Sequence, residues 1–247
     1  MVLLFALLGL AVGGIVNLLG SDLPARRRPR LPHCPYCGSP RPWWAWLALP
    51  AYLSGRPKCP ACGAPIRALR AVVELGLAIV YAYLWITLGA EMRLPLYMVY
   101  MAILALIVVT DIERRLILNV VTYPAIGIAI LASFVTPGMV WWSALLGGAI
   151  GFAFFWLAAL VGNALFGSGA LGGGDVKLAA FVGLITGFPL VIEALLITLV
   201  SGALVSAVLL VTRLRRLRDP IPYGPFLVLG AAVTLLWGYR LATWLLR

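Results

Sequence analysis

The chain has 247 residues, 63% of them hydrophobic and 11% charged, with a mean hydropathy of +1.05 and a formal net charge of +11 at pH 7. That usage lies far from soluble composition and excludes an ordinary water-soluble fold. The length holds about eight membrane spans of roughly 20 residues, with one polar segment, from Asp22 to Arg67, left over.

Apolar runs between charges and Gly/Pro clusters predict spans at residues 2–20, 69–88, 94–110, 119–136, 140–163, 176–189, 191–212 and 224–243. The first run lacks the charged start and small-residue cleavage site of a signal peptide, and an Arg-rich segment follows it as after a stop-transfer span. It is therefore read as a retained span. Residues 176–212 are interrupted by Gly187 and Pro189 and are read as two helices. The first of them is only about 22 Å long at 1.5 Å per residue, short of a hydrocarbon core of about 30 Å.

With eight spans, sixteen of the nineteen Lys and Arg residues share one side, and only Arg93, Arg240 and Arg247 face the other. The positive-inside rule puts that side, and with it the polar segment, in the cytoplasm. The same distribution argues against nucleic acid as the partner of the +11 charge and for topology and anionic headgroups.

All four cysteines fall in the polar segment as Cys34-Pro-Tyr-Cys37 and Cys59-Pro-Ala-Cys62, two C-x2-C knuckles 21 residues apart. Each knuckle is followed by a glycine, Gly38 or Gly63. The spacing suits a four-thiolate zinc site that staples a segment too small to bury much core, with redox dithiols as the rival reading. His33 is adjacent but not expected to be a ligand. Trp43, Trp44 and Trp46 lie between the knuckles and read as an interfacial anchor or a substrate cage. Arg70 and Glu74, at i and i+4, read as a salt-bridged helix end or as a methyl-donor site.

Two aspartates stand at span ends: Asp111 closes the run from Leu94, and Asp175 follows Gly172-Gly173-Gly174. An ionisable group at such a boundary is a candidate functional residue. Peptide hydrolysis by two carboxyls needs one ionised and one protonated. A helix start favours charge on Asp175 and a helix end disfavours it on Asp111, so Asp175 is expected to be the base and Asp111 the acid. Lys177 would reinforce the charge on Asp175. Glycines 172–174 are either a plain turn or a gap through which a substrate strand approaches.

Five features recur in order: Gly14-Ile15-Val16-Asn17 with Leu23-Pro24; the paired knuckles; Asp111 with Asn119; Gly172-Gly173-Gly174-Asp175-Val176-Lys177; and Pro222-Tyr223-Gly224-Pro225-Phe226. This arrangement resembles the type IV prepilin peptidases, bacterial members of the GxGD intramembrane aspartic proteases, over nearly the whole chain. Leu118, where many members have proline, and Ala170, in place of the first glycine of the extended glycine motif, depart from the pattern.

The resemblance implies an all-α polytopic membrane protein of about eight transmembrane helices with a small cytoplasmic zinc-ribbon-like loop. Its parts would be a first helix over 1–21, the four-cysteine loop over 22–67 and a peptidase core over 68–247. It further implies an enzyme of the bacterial plasma membrane that removes the basic leader of prepilins or pseudopilins after a glycine on the cytoplasmic side. N-methylation from S-adenosylmethionine would follow in many members. Asp111 and Asp175 match the catalytic pair and Cys34, Cys37, Cys59 and Cys62 the metal ligands. Gly172, Gly174, Lys177, Tyr223, Gly224 and Pro225 are expected to support the site, and Arg70 and Glu74 to contact the methyl donor. Asp22, Glu113 and Asp219 are the acidic groups on the expected cytoplasmic side that could read a basic leader. The competing class is a non-enzymatic membrane assembly factor or transporter with a structural zinc site, in which the charges would line a path across the bilayer.

Overall fold

The computed structural model describes residues 1–25, 32–41, 46–55, 57–166, 172–213 and 222–245. The expectations placed on Arg26 to Arg30, Trp43, Trp44, Arg56, Ala170, Arg215 to Arg218 and Asp219 lie outside the described residues.

Among the described residues the secondary structure is helical, with two isolated β-bridges, His33 to Pro40 and Lys58 to Pro65, and no strand. The helices are α1 (Val2–Asp22), α2 (Ala48–Leu53), α3 (Ala68–Leu88), α4 (Arg93–Arg114), α5 (Asn119–Ser133), α6 (Trp141–Phe166), α7 (Gly173–Thr186), α8 (Leu190–Val211) and α9 (Gly224–Leu245). Eight of the nine coincide with the predicted spans; α2 lies in the polar segment. Six, namely α1, α3, α4, α6, α8 and α9, are long and apolar enough to cross a membrane. The other two are shorter, α5 with 15 residues and α7 with 14. The expected eight spans are thus six of crossing length and two short helices.

The chain divides into two compact units, Met1–Arg114 and Arg115–Arg247. In the first, α1 lies against α3 because α1 carries glycines where the backbones meet. A Cβ on Gly13 would come 2.7 Å from Glu74 Cα, and one on Gly9 would overlap the Leu77 carbonyl. Phe5 stacks on Trp85 with ring centres 4.4 Å apart. The Tyr81 hydroxyl donates to the Met98 carbonyl (2.7 Å) and ties α3 to α4. Helix α2 rests on the start of α3 through a small core of Ala48, Ala51, Ile66 and Ala71, and the Tyr52 hydroxyl donates to the Ile66 carbonyl.

In the second unit α7 is the core. Leu178, Ala179, Phe181 and Val182 are fully buried, and nearly every residue from Val176 to Thr186 is shielded. Its contact with α6 is a seam of small residues: Gly147, Gly148 and Gly151 face Ala179, Ala180, Gly183 and Leu184. Close approach of backbones through small residues is the usual way apolar helices associate in lipid. Gly187, at φ 71°, ends α7 in a conformation that favours glycine. The following turn is pinned to α6 because Ser143 Oγ donates to Phe188 O (2.7 Å) and Phe188 N donates to Ser143 O (3.0 Å). This turn separates α7 from α8, as the Gly187 and Pro189 interruption predicts.

Candidate functional site

The two knuckles share one backbone design. Cys34 N donates to Ser39 O (2.9 Å) and Gly38 N back to Cys34 O (2.9 Å); Cys59 N donates to Ala64 O and Gly63 N to Cys59 O, both 2.8 Å. Gly38 at φ 73° and Gly63 at φ 70° complete each turn in the left-handed region, which explains a glycine directly after each second cysteine. All four Sγ atoms lie within 4.8 Å of one another. Cys34 to Cys62 is 3.7 Å and Cys37 to Cys59 is 3.9 Å, against sulfur-sulfur edges of about 3.8 Å in a tetrahedron built on metal-sulfur bonds of about 2.3 Å. No pair is disulfide-bonded. Hydrogen bonding from Ser39 draws the Cys37 thiol down to about 6, while burial and the neighbouring sulfurs push Cys62 up to about 12, so the geometry of the four sulfurs carries the reading. The donor set therefore fits a four-thiolate metal ion. His33 is turned to Asp22 instead, at 3.4 Å.

Above the start of α3, Glu74 is a junction. Its carboxylate accepts from Asn17 Nδ2 (2.9 Å), Ala48 N (2.9 Å) and Leu49 N (2.7 Å), fastening α1 and the first turn of α2 to α3. Asn17 also donates to the Arg70 carbonyl (3.0 Å). The expected Arg70–Glu74 pair is not made. Arg70 donates to Ser21 Oγ (2.8 Å) and pairs with Glu113 at 3.6 Å, which Arg67 also approaches at 3.6 Å. Trp46 lies across the segment, its Nε1 donating to Arg41 O (3.0 Å). Asp22 and Glu113 are thus both engaged by basic side chains of this chain.

Asp111 lies in the first unit, near the C-terminal end of α4, and is only 5% exposed. Asp175 lies in the second, in the first turn of α7, where Gly172 is the N-cap and Asp175 N donates to Gly172 O (3.0 Å). Two of the three glycines stand against neighbours, and Gly173 has open space. A Cβ on Gly172 would come 3.2 Å from Asp175 Oδ2, and one on Gly174 would come 2.9 Å from Ile117 Cβ. Lys177 Nζ donates to Asn119 Oδ1 (3.0 Å) and stands 4.9 Å from the centre of the Tyr123 ring. Tyr223 packs its ring against Phe155 and Phe226, both at 5.7 Å, and its carbonyl accepts from Phe226 N and Leu227 N at the start of α9. Burial, and then the charge of Asp175, push the Tyr223 phenol up from its ordinary value. Gly224 is buried and Pro225 follows it in the first turn of α9, where a missing N–H costs nothing.

The profile of the Type IV leader peptidase family matches residues 98–207, and that of the bacterial peptidase A24 N-terminal domain matches residues 7–88. The chain belongs to the type IV leader peptidase family. The family match takes in both Asp111 and Asp175, and the N-terminal match takes in both knuckles and Glu74. A prepilin leader peptidase/N-methyltransferase of Bacillus subtilis is 28% identical over 93% of this chain and 92% of its own length. Proteins of the same name from Pseudomonas aeruginosa and Aeromonas hydrophila are 27% and 28% identical, covering 96% and 86% of this chain and 90% and 73% of their own lengths. No solved structure matches the chain.

Sequence reasoning missed Ser21, Tyr36, Arg41, Arg67 and Arg114, which line a cavity with Arg70 and Glu113. They come from four separate stretches of chain, and no spacing rule links them.

Proposed function

We propose that this member of the type IV leader peptidase family is a multi-pass plasma-membrane endopeptidase. It removes the basic leader of type IV prepilins or pseudopilins after a glycine, on the cytoplasmic side. The relatives' names support the substrate class, and the bias of cations supports the side.

The observation that carries the chemistry is the contrast between two carboxyl environments. Asp175 stands at a helix start beside a glycine N-cap, where the helix dipole favours a carboxylate. Asp111 is buried near a helix end, where the dipole disfavours a carboxylate. Asp175 takes a proton from water as the water oxygen adds to the scissile carbonyl carbon, and the Asp111 carboxyl hydrogen-bonds the carbonyl oxygen and protonates it. As the C–N bond breaks, Asp175 gives the proton it took to the departing amine and Asp111 regains one from a hydroxyl of the tetrahedral species, which leaves a carboxyl group on the leader's glycine. Gly173, with open space where a Cβ would stand, leaves room for an extended substrate strand.

The four cysteines would hold structural zinc, whose contribution is to fix the two knuckles against each other. N-methyltransferase activity, which the relatives' names state for those proteins, is proposed as a second step on the new amino terminus, with S-adenosylmethionine as the methyl donor.

The test is cleavage of a prepilin by purified wild type, Asp111→Asn and Asp175→Asn, after each variant is shown to be folded. Loss of the cut in both is expected; a cut that persists in either defeats the aspartic mechanism.

A further inference from the structure

The first unit contains a cavity of about 270 Å³ where the ends of three apolar helices meet the knuckle segment. Ser21 comes from the end of α1, Arg67 and Arg70 from the start of α3, and Glu113 and Arg114 from the end of α4. Tyr36 and Arg41 close it from the first knuckle. Since α1, α3 and α4 are all of membrane-crossing length, their ends lie at headgroup level.

The charge on this wall is unbalanced. Four guanidinium groups, those of Arg41, Arg67, Arg70 and Arg114, face one carboxylate, that of Glu113. Arg70 is 8% exposed, yet its Nε makes no hydrogen bond, and neither does Glu113 Oε1 3.6 Å away. A buried guanidinium with an unused donor is costly unless an acceptor reaches it. Burial, followed by the like charge of Arg70, holds the Arg41 guanidinium below its ordinary range. An added anion would relieve both. A methyl donor is a poor occupant, because its sulfonium would meet the excess of cations, and a basic leader is poorer still.

We propose that this cavity binds a phosphate group, presented by an anionic phospholipid. Arginine forks match phosphate oxygens in geometry as well as charge, and the headgroup depth of the cavity favours the lipid over free phosphate. None of these side chains takes part in the proposed cleavage, so the assignment stands apart from it.

Native mass spectrometry of the full chain with phosphatidylglycerol and phosphatidylcholine reads this directly. Wild type should retain phosphatidylglycerol about tenfold better, and Arg41→Gln and Arg114→Gln should each reduce that preference roughly fivefold, with Arg93→Gln, at the other end of α4, unchanged. Arg114 is exposed at its helix end, so its variant keeps the test open if Arg41→Gln disturbs folding. Displacement of the lipid by short-chain phosphatidylglycerol but not by inorganic phosphate supports the lipid source; displacement by inorganic phosphate keeps the phosphate site and assigns it to the free ion. Equal retention of the two lipids, a loss shared by Arg93→Gln, or displacement by S-adenosylmethionine and not by phosphate overturns the proposal.

Discussion

Lys177, two residues beyond Asp175 on α7, is held by Asn119 at the start of α5 through a 3.0 Å hydrogen bond. Asn119 stands eight residues after Asp111, so one contact joins a residue from each of the two aspartate motifs. It ties the first turn of α7, which carries Asp175, to the start of α5.

If that contact positions Asp175, Lys177→Met and Asn119→Leu should act as one lesion. Each should lower kcat/KM for prepilin cleavage by about two- to fivefold, the size expected of an exposed charged contact, and the double variant should fall no further than either. Additive losses would separate the two residues.

Tyr223 predicts a pH dependence. Burial and the charge of Asp175 both disfavour the phenolate, so its value is raised and the hydroxyl stays protonated, as a donor, throughout the working range. Tyr223→Phe should reduce kcat roughly tenfold and leave the alkaline limb of the profile where it is. A limb that vanishes with the hydroxyl would mean that the tyrosine itself titrates there.

The helices were legible because a bilayer demands long apolar runs, and the expected ends at Gly20, Leu88 and Thr212 fall within two residues of the observed ends of α1, α3 and α8 at Asp22, Leu88 and Val211. The knuckles were legible because two thiolates on one turn need a fixed spacing. The role of Glu74 was not. Its partners are backbone N–H groups of Ala48 and Leu49, which carry no sequence signature, and α2 itself sits in a segment with no amphipathic period to betray it. Spacing alone offered Arg70 to Glu74, but Glu113 competes from α4 and takes the guanidinium. The seam of α6 and α7 was hidden for a related reason. A glycine in an apolar run reads as a weak helix former until the facing backbone is known.

Glu74→Gln places an amide NH₂ where the carboxylate accepts from three donors. The loss should be about 1–3 kcal/mol, read as a lower unfolding midpoint in detergent and faster proteolysis between Trp46 and Arg67. Unchanged protection of that segment would show that the junction does not hold it.

Chelation should act on the same segment by another route. A metal held by four thiolates contributes its binding energy to local folding, so stripping it should expose the chain around Cys34 to Cys62 to protease while the helical circular dichroism of the spans persists. Cys34→Ser should mimic it, since the buried Cys34, 1% exposed, supplies one of the four clustered sulfurs. Measured metal content near one equivalent before treatment, and none after, would tie the loss to the ion; protection that survives complete removal would reduce the cluster to hydrogen-bonded thiols.

The α6–α7 seam gives the sharpest test of packing. A Cβ built on Gly183 would overlap the Gly147 carbonyl, and one on Gly147 would overlap the Gly183 carbonyl, so the two glycines fit only as a pair. Gly183→Ala must push the helices apart, at a cost of about 1–3 kcal/mol. Gly76, with open space around its Cβ position on α3, is the matched control. Gly76→Ala should hold or raise the unfolding midpoint, as an alanine inside a helix does. Because α7 carries Asp175 in its first turn, Gly183→Ala should also depress kcat although it lies two turns away. A variant that loses stability but keeps full activity would show that the start of α7 is held by Lys177 and Asn119 alone.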